Sequence, residues 1–243
     1  MSGHSKWATI KHDKGINDAK RGKIFSKLSK AISIAVREGG GDNPEFNPKL
    51  RLMIEKAKAS NMPKENVQRA IDKGAGRIEG MNYQEVTYEG FGPNKIAMMI
   101  NCVTDNTNRT NSEIKSLFDK NGGVLGSQGS TAYFFDKKGL IDIALPSGNN
   151  QEEVELQLID FGAEDFQVID ANHMQVIVEV TQTHQIASKI KEAGYAVEDA
   201  EVVMIPNTTI ALSPADFEKF NRFLDIIDDH DDVQRIFHNG IQS

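Results

Sequence analysis

Apolar residues recur at three- and four-residue spacing through the first part of the chain, which is the period of an amphipathic helix. Over residues 18–37 they form one predicted buried face, made of Ile24, Phe25, Leu28, Ala31, Ile32, Ala35 and Val36. Asn47-Pro48 has the pattern of an N-cap followed by proline at the first helical position, so a second helix is predicted to begin there. Pro63 starts a third predicted helix, and Gly74 ends it. Three helices with short connections predict a small bundle.

After the bundle the pattern changes to that of strands. Residues 86–91 and 95–103 have strand-like patterns and are joined through the turn sequence Gly92-Pro93-Asn94. A cap-rich loop at 105–108 precedes a predicted helix, and residues 131–135 predict a further strand. This mixture predicts a central α/β domain.

The next segment has a β-α-β order that occurs twice. Strands are predicted at residues 140–145, 166–170, 174–180 and 200–205, with helices at 151–161 and 183–193. The β-α-β-β-α-β order is that of a ferredoxin-like module. Ser213-Pro214 then opens an amphipathic helix, and a short helix is predicted at 233–237. Because these two helices need a sheet to cover, we expect them to return to the central domain, which makes the ferredoxin-like segment an insertion.

The predicted fold class is therefore α+β, with three domains. A basic helical domain occupies 1–80, an α/β domain occupies 81–136 plus 207–243, and the inserted ferredoxin-like domain occupies 137–206. A chain of 243 residues, 39% hydrophobic and 26% charged, is long enough for two or three compact domains and is typical of folded globular proteins.

Charge divides the chain at the end of the bundle. Residues 1–80 carry 17 Lys and Arg against nine Asp and Glu, a net charge of +8, whereas residues 81–243 have a net charge of −15. A basic patch releases counterions when it meets phosphates, so this asymmetry predicts a nucleic-acid surface at the N-terminal end. The alternative is a solvated helical face with no ligand.

Cations and one aromatic residue supply the candidate contacts. Lys20, Lys23, Lys27, Lys30 and Arg37 fall within an arc of about 100° on the first helix, beside its apolar face. We predict this stripe to be exposed and unpaired. In the tail, Trp7 stands among lysines, where it stacks on a base or staples the tail to the bundle. The full predicted nucleic-acid-binding set is Lys6, Trp7, Lys11, Lys14, Lys20, Arg21, Lys23, Lys27, Lys30, Lys64, Arg69 and Lys73.

The third helix offers a second kind of contact. It carries Lys64, Gln68, Arg69 and Lys73, and Gln and Arg are able to read base edges in a major groove. The tight turn before it is compatible with a helix-turn-helix motif, but an ordinary helical hairpin has the same pattern. Contact with the nucleic-acid backbone is therefore the favoured interpretation.

Other chemistry finds little support in the sequence. The glycines at 122, 123, 126 and 129 have no Walker lysine and lead into an aromatic strand, so a role in turns is favoured over phosphate binding. The one cysteine, Cys102, lies in an apolar run and is interpreted as a buried thiol. His230 stands among aspartates, which favours an acidic linker over a site for a hard cation. We predict no catalytic residue, no metal, no cofactor and no small-molecule substrate.

No run of 18 apolar residues and no signal-peptide core is present, so we expect a cytoplasmic protein without a membrane partner.

Several long motifs resemble the YebC family. They are Gly3-His4-Ser5-Lys6-Trp7, Lys20-Arg21-Gly22-Lys23-Ile24-Phe25-Ser26-Lys27-Leu28, Asn61-Met62-Pro63-Lys64, Tyr88-Glu89-Gly90-Phe91-Gly92-Pro93, Thr104-Asp105-Asn106 and Asn108-Arg109-Thr110. Asn94-Lys95 replaces the family's usual Gly-Gly after Gly-Pro. The resemblance implies the three domains above and a nucleic-acid surface along 6–30.

For function, the resemblance implies a role in gene expression of two possible kinds. Bacterial members are classed as cytoplasmic DNA-binding transcriptional regulators. Mitochondrial relatives are translational activators, and bacterial relatives have been linked to relief of stalled ribosomes. We therefore expect a DNA-binding transcriptional regulator, with an RNA- or ribosome-binding translation factor as the alternative. An enzyme that uses the pocket region at 105–108 is the third hypothesis.

Overall fold

The computed structural model describes residues 18–78, 83–146, 148 and 150–243, with side chains from Gly22 onward in the first helix. The described residues form two compact units. The first unit contains residues 18–131 and 218–236, and the second contains 132–217 and 237–243. The bundle and the central sheet thus belong to one unit, while the division into three domains remains a prediction.

The three predicted helices of the bundle are confirmed as α1 (Asp18–Glu38), α2 (Pro48–Ala59) and α3 (Lys64–Gly74). The side-chain oxygen of Asn47 caps α2 by accepting a hydrogen bond from the Leu50 amide, and the side-chain nitrogen of Asn47 donates to the carbonyl oxygen of Ala35 on α1 at 2.7 Å. Both α2 and α3 pack mainly against α1. The shared core is Ile32, Ala35, Val36, Leu50, Ala57, Met62, Ala70 and Ile71.

The first unit also contains most of a four-stranded sheet. Its strands are β1 (Gln84–Phe91), β2 (Ala97–Thr104), β3 (Val124–Leu125) and β9 (Val233–His238), and they are arranged in the order β3-β1-β2-β9. β1 and β2 are antiparallel. The helices α4 (Thr107–Lys120) and α7 (Pro214–Asp228) meet through Phe118 and Phe223, whose ring centroids lie 5.1 Å apart. The expected return of the C-terminal helix to the central domain is confirmed.

Two local predictions are wrong. Residues 233–237 form a strand, not a helix, because the segment runs beside the buried strand β2, where the Val103 amide donates to the Asp232 carbonyl at 2.8 Å. Pairing in a sheet outweighs a weak helical pattern in so short a segment. The predicted strand at 131–135 is instead a 3₁₀ turn at Ala132–Phe134, and the strand begins at Phe135.

The second unit confirms the β-α-β-β-α-β order. Its elements are β4 (Phe135–Ala144), α5 (Gln151–Phe161), β5 (Asp165–Asp170), β6 (His173–Val178), α6 (Thr183–Glu192) and β7 (Ala196–Pro206). The sheet order is β5-β6-β4-β7, and every paired neighbour is antiparallel, which is the ferredoxin-like arrangement. Two short parallel strands, β8 (Ile210–Leu212) and β10 (Gly240–Gln242), were not predicted. The α+β fold class is confirmed.

None of the helices in the described part of the chain combines the length and apolar content needed to span a bilayer.

Candidate nucleic-acid interface

Three lysines on one face of α1 contact an acidic segment, residues 228–232, at the end of α7. The distances from Nζ to the carboxylate oxygen are 2.8 Å for Lys23 and Asp229, 2.9 Å for Lys27 and Asp228, and 2.5 Å for Lys30 and Asp232. Each ammonium group also donates to a backbone carbonyl of the same segment, namely Asp229, Asp228 and Asp231 respectively. We call these contacts the lysine ladder.

The ladder corrects the prediction of an exposed, unpaired stripe. Lys27 is half-buried and Lys30 is buried, and all three lysines are neutralised by the protein's own carboxylates. The prediction failed because it treated the acidic segment as a solvated linker. The segment begins at Asp228, the last residue of α7, where the last helical carbonyls have no partner in a following turn. Cations near a helix C-terminus satisfy those carbonyls and the partial negative charge of the helix end.

Asp232 is the most buried charged residue of this network. Only 4% of its side chain is exposed, and it accepts hydrogen bonds from Lys30, from Arg109 Nη2 at 2.8 Å and from the Thr110 hydroxyl at 2.7 Å. Burial acts to raise the pKa of Asp232, but these three hydrogen bonds outweigh it and hold the pKa well below its usual range. Arg109 and Thr110 are placed by the first turn of α4, which Asn106 caps. The network therefore joins α1, α4 and the segment after α7.

A cleft of about 810 Å³ lies beside this network, bounded by α1, α4 and the acidic segment. Its wall includes Asp105, which belongs to the region 105–108 that the enzyme hypothesis named. Asp105 forms an ion pair with Arg109 at 3.0 Å, and Asn106 caps α4. Asp105 and Asn106 thus both have structural partners, and their geometry does not indicate a catalytic role for these two residues.

Glu113, His230 and Asp232 bring potential metal-ligating atoms within 4.8 Å of one another. The Asp232 amide donates to Nδ1 of His230, so the other ring nitrogen, Nε2, carries the proton that bonds Glu113 at 2.8 Å. Lys30 and Arg109 already neutralise Asp232. A divalent cation would have to displace or face these positive groups, so the arrangement favours a protein network over a metal site.

Several backbone donors of the glycine-rich segment after α4 are occupied. The Glu89 carboxylate is buried, and it accepts hydrogen bonds from the amides of Gly129 at 2.8 Å and Thr131 at 2.7 Å. Gly122 and Gly129 have positive φ angles of 81° and 85°. The predicted role in turns is confirmed for Gly122 and Gly129, and Glu89 is the partner that sequence reasoning did not identify.

Cys102 is a buried strand thiol, as predicted. Burial, together with the charge of Asp232, raises the pKa of this thiol to about 12, so the reactive thiolate form is suppressed at neutral pH.

The outer face of α3 carries cations that remain free of partners among the described residues. Lys64, Arg69 and Lys73 are exposed, and none forms an ion pair or hydrogen bond with a described group. Val67, Ala70 and Ile71 point toward the bundle core from the opposite face. Gln68, which the sequence identifies as a possible contact to base edges, donates to the Asp72 carboxylate at 3.0 Å. Among the predicted nucleic-acid-binding residues that the structure describes, those on α3 are therefore the ones available to a ligand.

The remaining predicted residues lie beyond what the structure describes. Lys6, Trp7, Lys11 and Lys14 are outside the described residues, as are the side chains of Lys20 and Arg21 on α1. Their assignment to a nucleic-acid surface remains a prediction.

The fold defines an α+β protein with a basic helical bundle and a ferredoxin-like module. Comparison with known proteins assigns the family. Residues 5–77 match the family described as the TACO1/YebC protein N-terminal domain. Residues 83–240 match the family described as the TACO1/YebC second and third domain. The chain belongs to the TACO1/YebC family, and the resemblance seen in its motifs is confirmed.

Similar proteins cover almost the whole chain. A "Probable transcriptional regulatory protein" of Thermoanaerobacter pseudethanolicus is 48% identical over 239 residues, covering 98% of this chain and 96% of that protein. A protein of the same name from Thermotoga maritima is 47% identical and covers 98% of this chain and 93% of that one. The crystal structure of a conserved hypothetical protein from Aquifex aeolicus has a TM-score of 0.85, 40% identity and 98% coverage of both chains.

Removing one ion pair of the lysine ladder should destabilise the protein. Lys30→Met leaves the buried Asp232 carboxylate without one of its donors, so we expect the free energy of unfolding to fall by about 3 kcal/mol. Urea denaturation followed by circular dichroism measures this change. Lys58→Met is the matched control, since Lys58 is exposed and has no described partner. An equal loss in both variants would mean that the ladder contributes nothing specific.

Acid should weaken the same network. Because the pKa of Asp232 is lower in the folded state than the value of about 3.9 in an unfolded chain, its contribution is present above that value and is lost as the pH falls below it. Asp232→Asn should therefore lower stability at pH 7 and flatten the decline of stability between pH 5 and pH 2. Thermal melts across that range test this, with Asp119→Asn at an exposed position as the control. A decline as steep in Asp232→Asn as in the parent protein would contradict the role of this carboxylate.

Proposed function

We propose that this protein is a nucleic-acid-binding regulator of gene expression and, more specifically, a DNA-binding transcriptional regulator that contacts DNA through α3. The main support for this proposal is the set of three exposed cations, Lys64, Arg69 and Lys73, which have no partner among the described residues. The names of the relatives support a role in transcription.

The dimensions of α3 suit a nucleic-acid groove. The rise of an α-helix places Lys64 and Lys73 about 13 Å apart along the axis, and the major groove is about 12 Å wide. At 100° per residue the three cations spread over the outward half of the helix. Such a spread favours several phosphate contacts over one concentrated anion site, so affinity should come mainly from the backbone and sequence reading should be limited.

The position of α3 within the bundle favours the same interpretation. The helix begins soon after Asn61, which takes a positive φ of 56° in a tight turn, and α2 and α3 pack on α1 more than on each other. Two helices that separate after a tight turn leave the second one accessible, as docking in a groove requires.

Charge assigns different roles to the two compact units. The described residues of the second unit carry 15 Asp and Glu against four Lys and Arg, a net charge of −11. Phosphates repel such a surface, so we place the nucleic-acid contact on the bundle alone. Under this proposal the ladder lysines act as structural groups and not as phosphate contacts.

Charge removal on α3 tests the proposal. The triple variant Lys64→Gln/Arg69→Gln/Lys73→Gln should bind duplex DNA more weakly, and the slope of log affinity against log salt should fall by about 3 because each phosphate contact contributes about one. Fluorescence anisotropy over a series of salt concentrations measures the slope. The control Lys115→Gln/Lys120→Gln/Lys191→Gln removes the same charge from exposed positions outside the bundle. Equal losses in the two triple variants would reduce the effect to net charge and refute an α3 interface.

A translation factor that binds ribosomal RNA is the second candidate, and the acidic second unit favours it. Adjacent duplex would repel that unit, whereas folded ribosomal RNA offers recessed sites that a basic helical segment enters. Crosslinking in cells followed by sequencing separates the two functions. We expect promoter DNA to be recovered, with the recovery reduced in the α3 triple variant. Recovery of ribosomal RNA without promoter DNA would replace the transcription proposal with the translation one.

A further inference from the structure

The outermost face of α5, in the second unit, carries two large apolar side chains. Leu156 is 63% exposed and Ile159 is 53% exposed, whereas Val154 and Leu158 of the same helix are buried in the core. At 100° per residue Leu156 and Ile159 lie on the side opposite that core. They are therefore not the margin of the hydrophobic core but a separate apolar pair that faces solvent.

Carboxylates surround this pair. The outer and flanking positions of α5 hold Glu152, Glu153, Glu155 and Asp160, and the helix contains no Lys or Arg. None of these four carboxylates forms an ion pair with a described cation. Amide groups of Asn150 and Gln151 donate to two of them, Glu153 and Glu155, which leaves their charge in place. The result is an apolar centre whose acidic rim has no neutralising cation among the described residues.

The negative charge of this α5 face limits which kinds of partner can bind there. Nucleic acids and anionic lipid surfaces are repelled by the rim and by the net charge of −11 of the unit. A second copy of the same face would place carboxylates against carboxylates, so symmetric self-association through α5 is disfavoured. A protein segment that is basic and carries apolar anchors satisfies both parts of the face at once.

We propose that the outer face of α5 is a docking site for a basic amphipathic helix of another protein. Two apolar residues of the partner cover Leu156 and Ile159, which lie one turn apart, as in packing between neighbouring helices. Lysines or arginines of the partner meet the acidic rim, which speeds association and makes it dependent on salt. The face is small, so the complex is transient, and the site gives the regulator a protein contact separate from α3.

A defined peptide tests this site on the full chain. The probe is a fluorescein-labelled 18-residue peptide of leucine and lysine, patterned so that its leucines form one helical face. We expect saturable binding with one peptide per chain, and Leu156→Ser/Ile159→Ser should weaken it about tenfold or more, since central apolar anchors dominate such interfaces. Both side chains are exposed, so thermal melts should show an unchanged fold. Glu152→Gln/Glu153→Gln/Asp160→Asn should also weaken binding and reduce its salt dependence.

Matched control variants distinguish the α5 face from the other apolar and charged surfaces of the chain. Val202→Ser removes another exposed apolar side chain of the second unit and should leave binding unchanged, as should the α3 triple variant that impairs DNA binding. Binding that does not saturate, or that is equal in the parent and in Leu156→Ser/Ile159→Ser, overturns the proposal. A change in the molar mass of the free protein caused by that double variant would show self-association through α5, which also overturns it.

Discussion

The ion pairs between α1 and the acidic segment that follows α7 are the interaction on which the first unit depends. Lysines spaced four and three residues apart lie on one helical face, and they contact residues that are about two hundred positions away in the chain. They satisfy the free carbonyls at the end of α7 and neutralise a run of aspartates that would otherwise repel one another. Through Asp232 the same network also holds the first turn of α4.

This constraint changes where a polyanion is expected to bind. Counting charges along the sequence marks the whole N-terminal end as basic, but net charge does not reveal which cations are already paired. Lys27 and Lys30 are used inside the protein, whereas Lys64 and Lys73 are not paired with any described group. The proposed interface moves accordingly from α1 to α3. The acidic second unit has a separate exposed surface, the outer face of α5, which we propose as a protein-binding site.

Much of the fold was predictable because its signals are local. Asn47-Pro48 marks the start of α2 through a cap, and the alternation of strand and helix patterns predicts the ferredoxin-like order. The errors have nonlocal causes. The strand at Val233–His238 is determined by its neighbour β2, and the pairing of Lys23 with Asp229 joins residues whose proximity only the folded chain creates. For the same reason, the sequence identified the cations of the candidate site but not which of them are available to a ligand.

Lysine acetylation footprinting distinguishes paired from free lysines, because acetic anhydride modifies free ammonium groups and mass spectrometry reports each lysine separately. We expect Lys27 and Lys30 to be protected in the free protein and Lys64 and Lys73 to react rapidly. Added nucleic acid should protect the two α3 lysines and leave the reactivity of the ladder lysines unchanged. Rapid modification of Lys27 and Lys30 in the free protein, with protection of those residues by nucleic acid, would contradict these expectations.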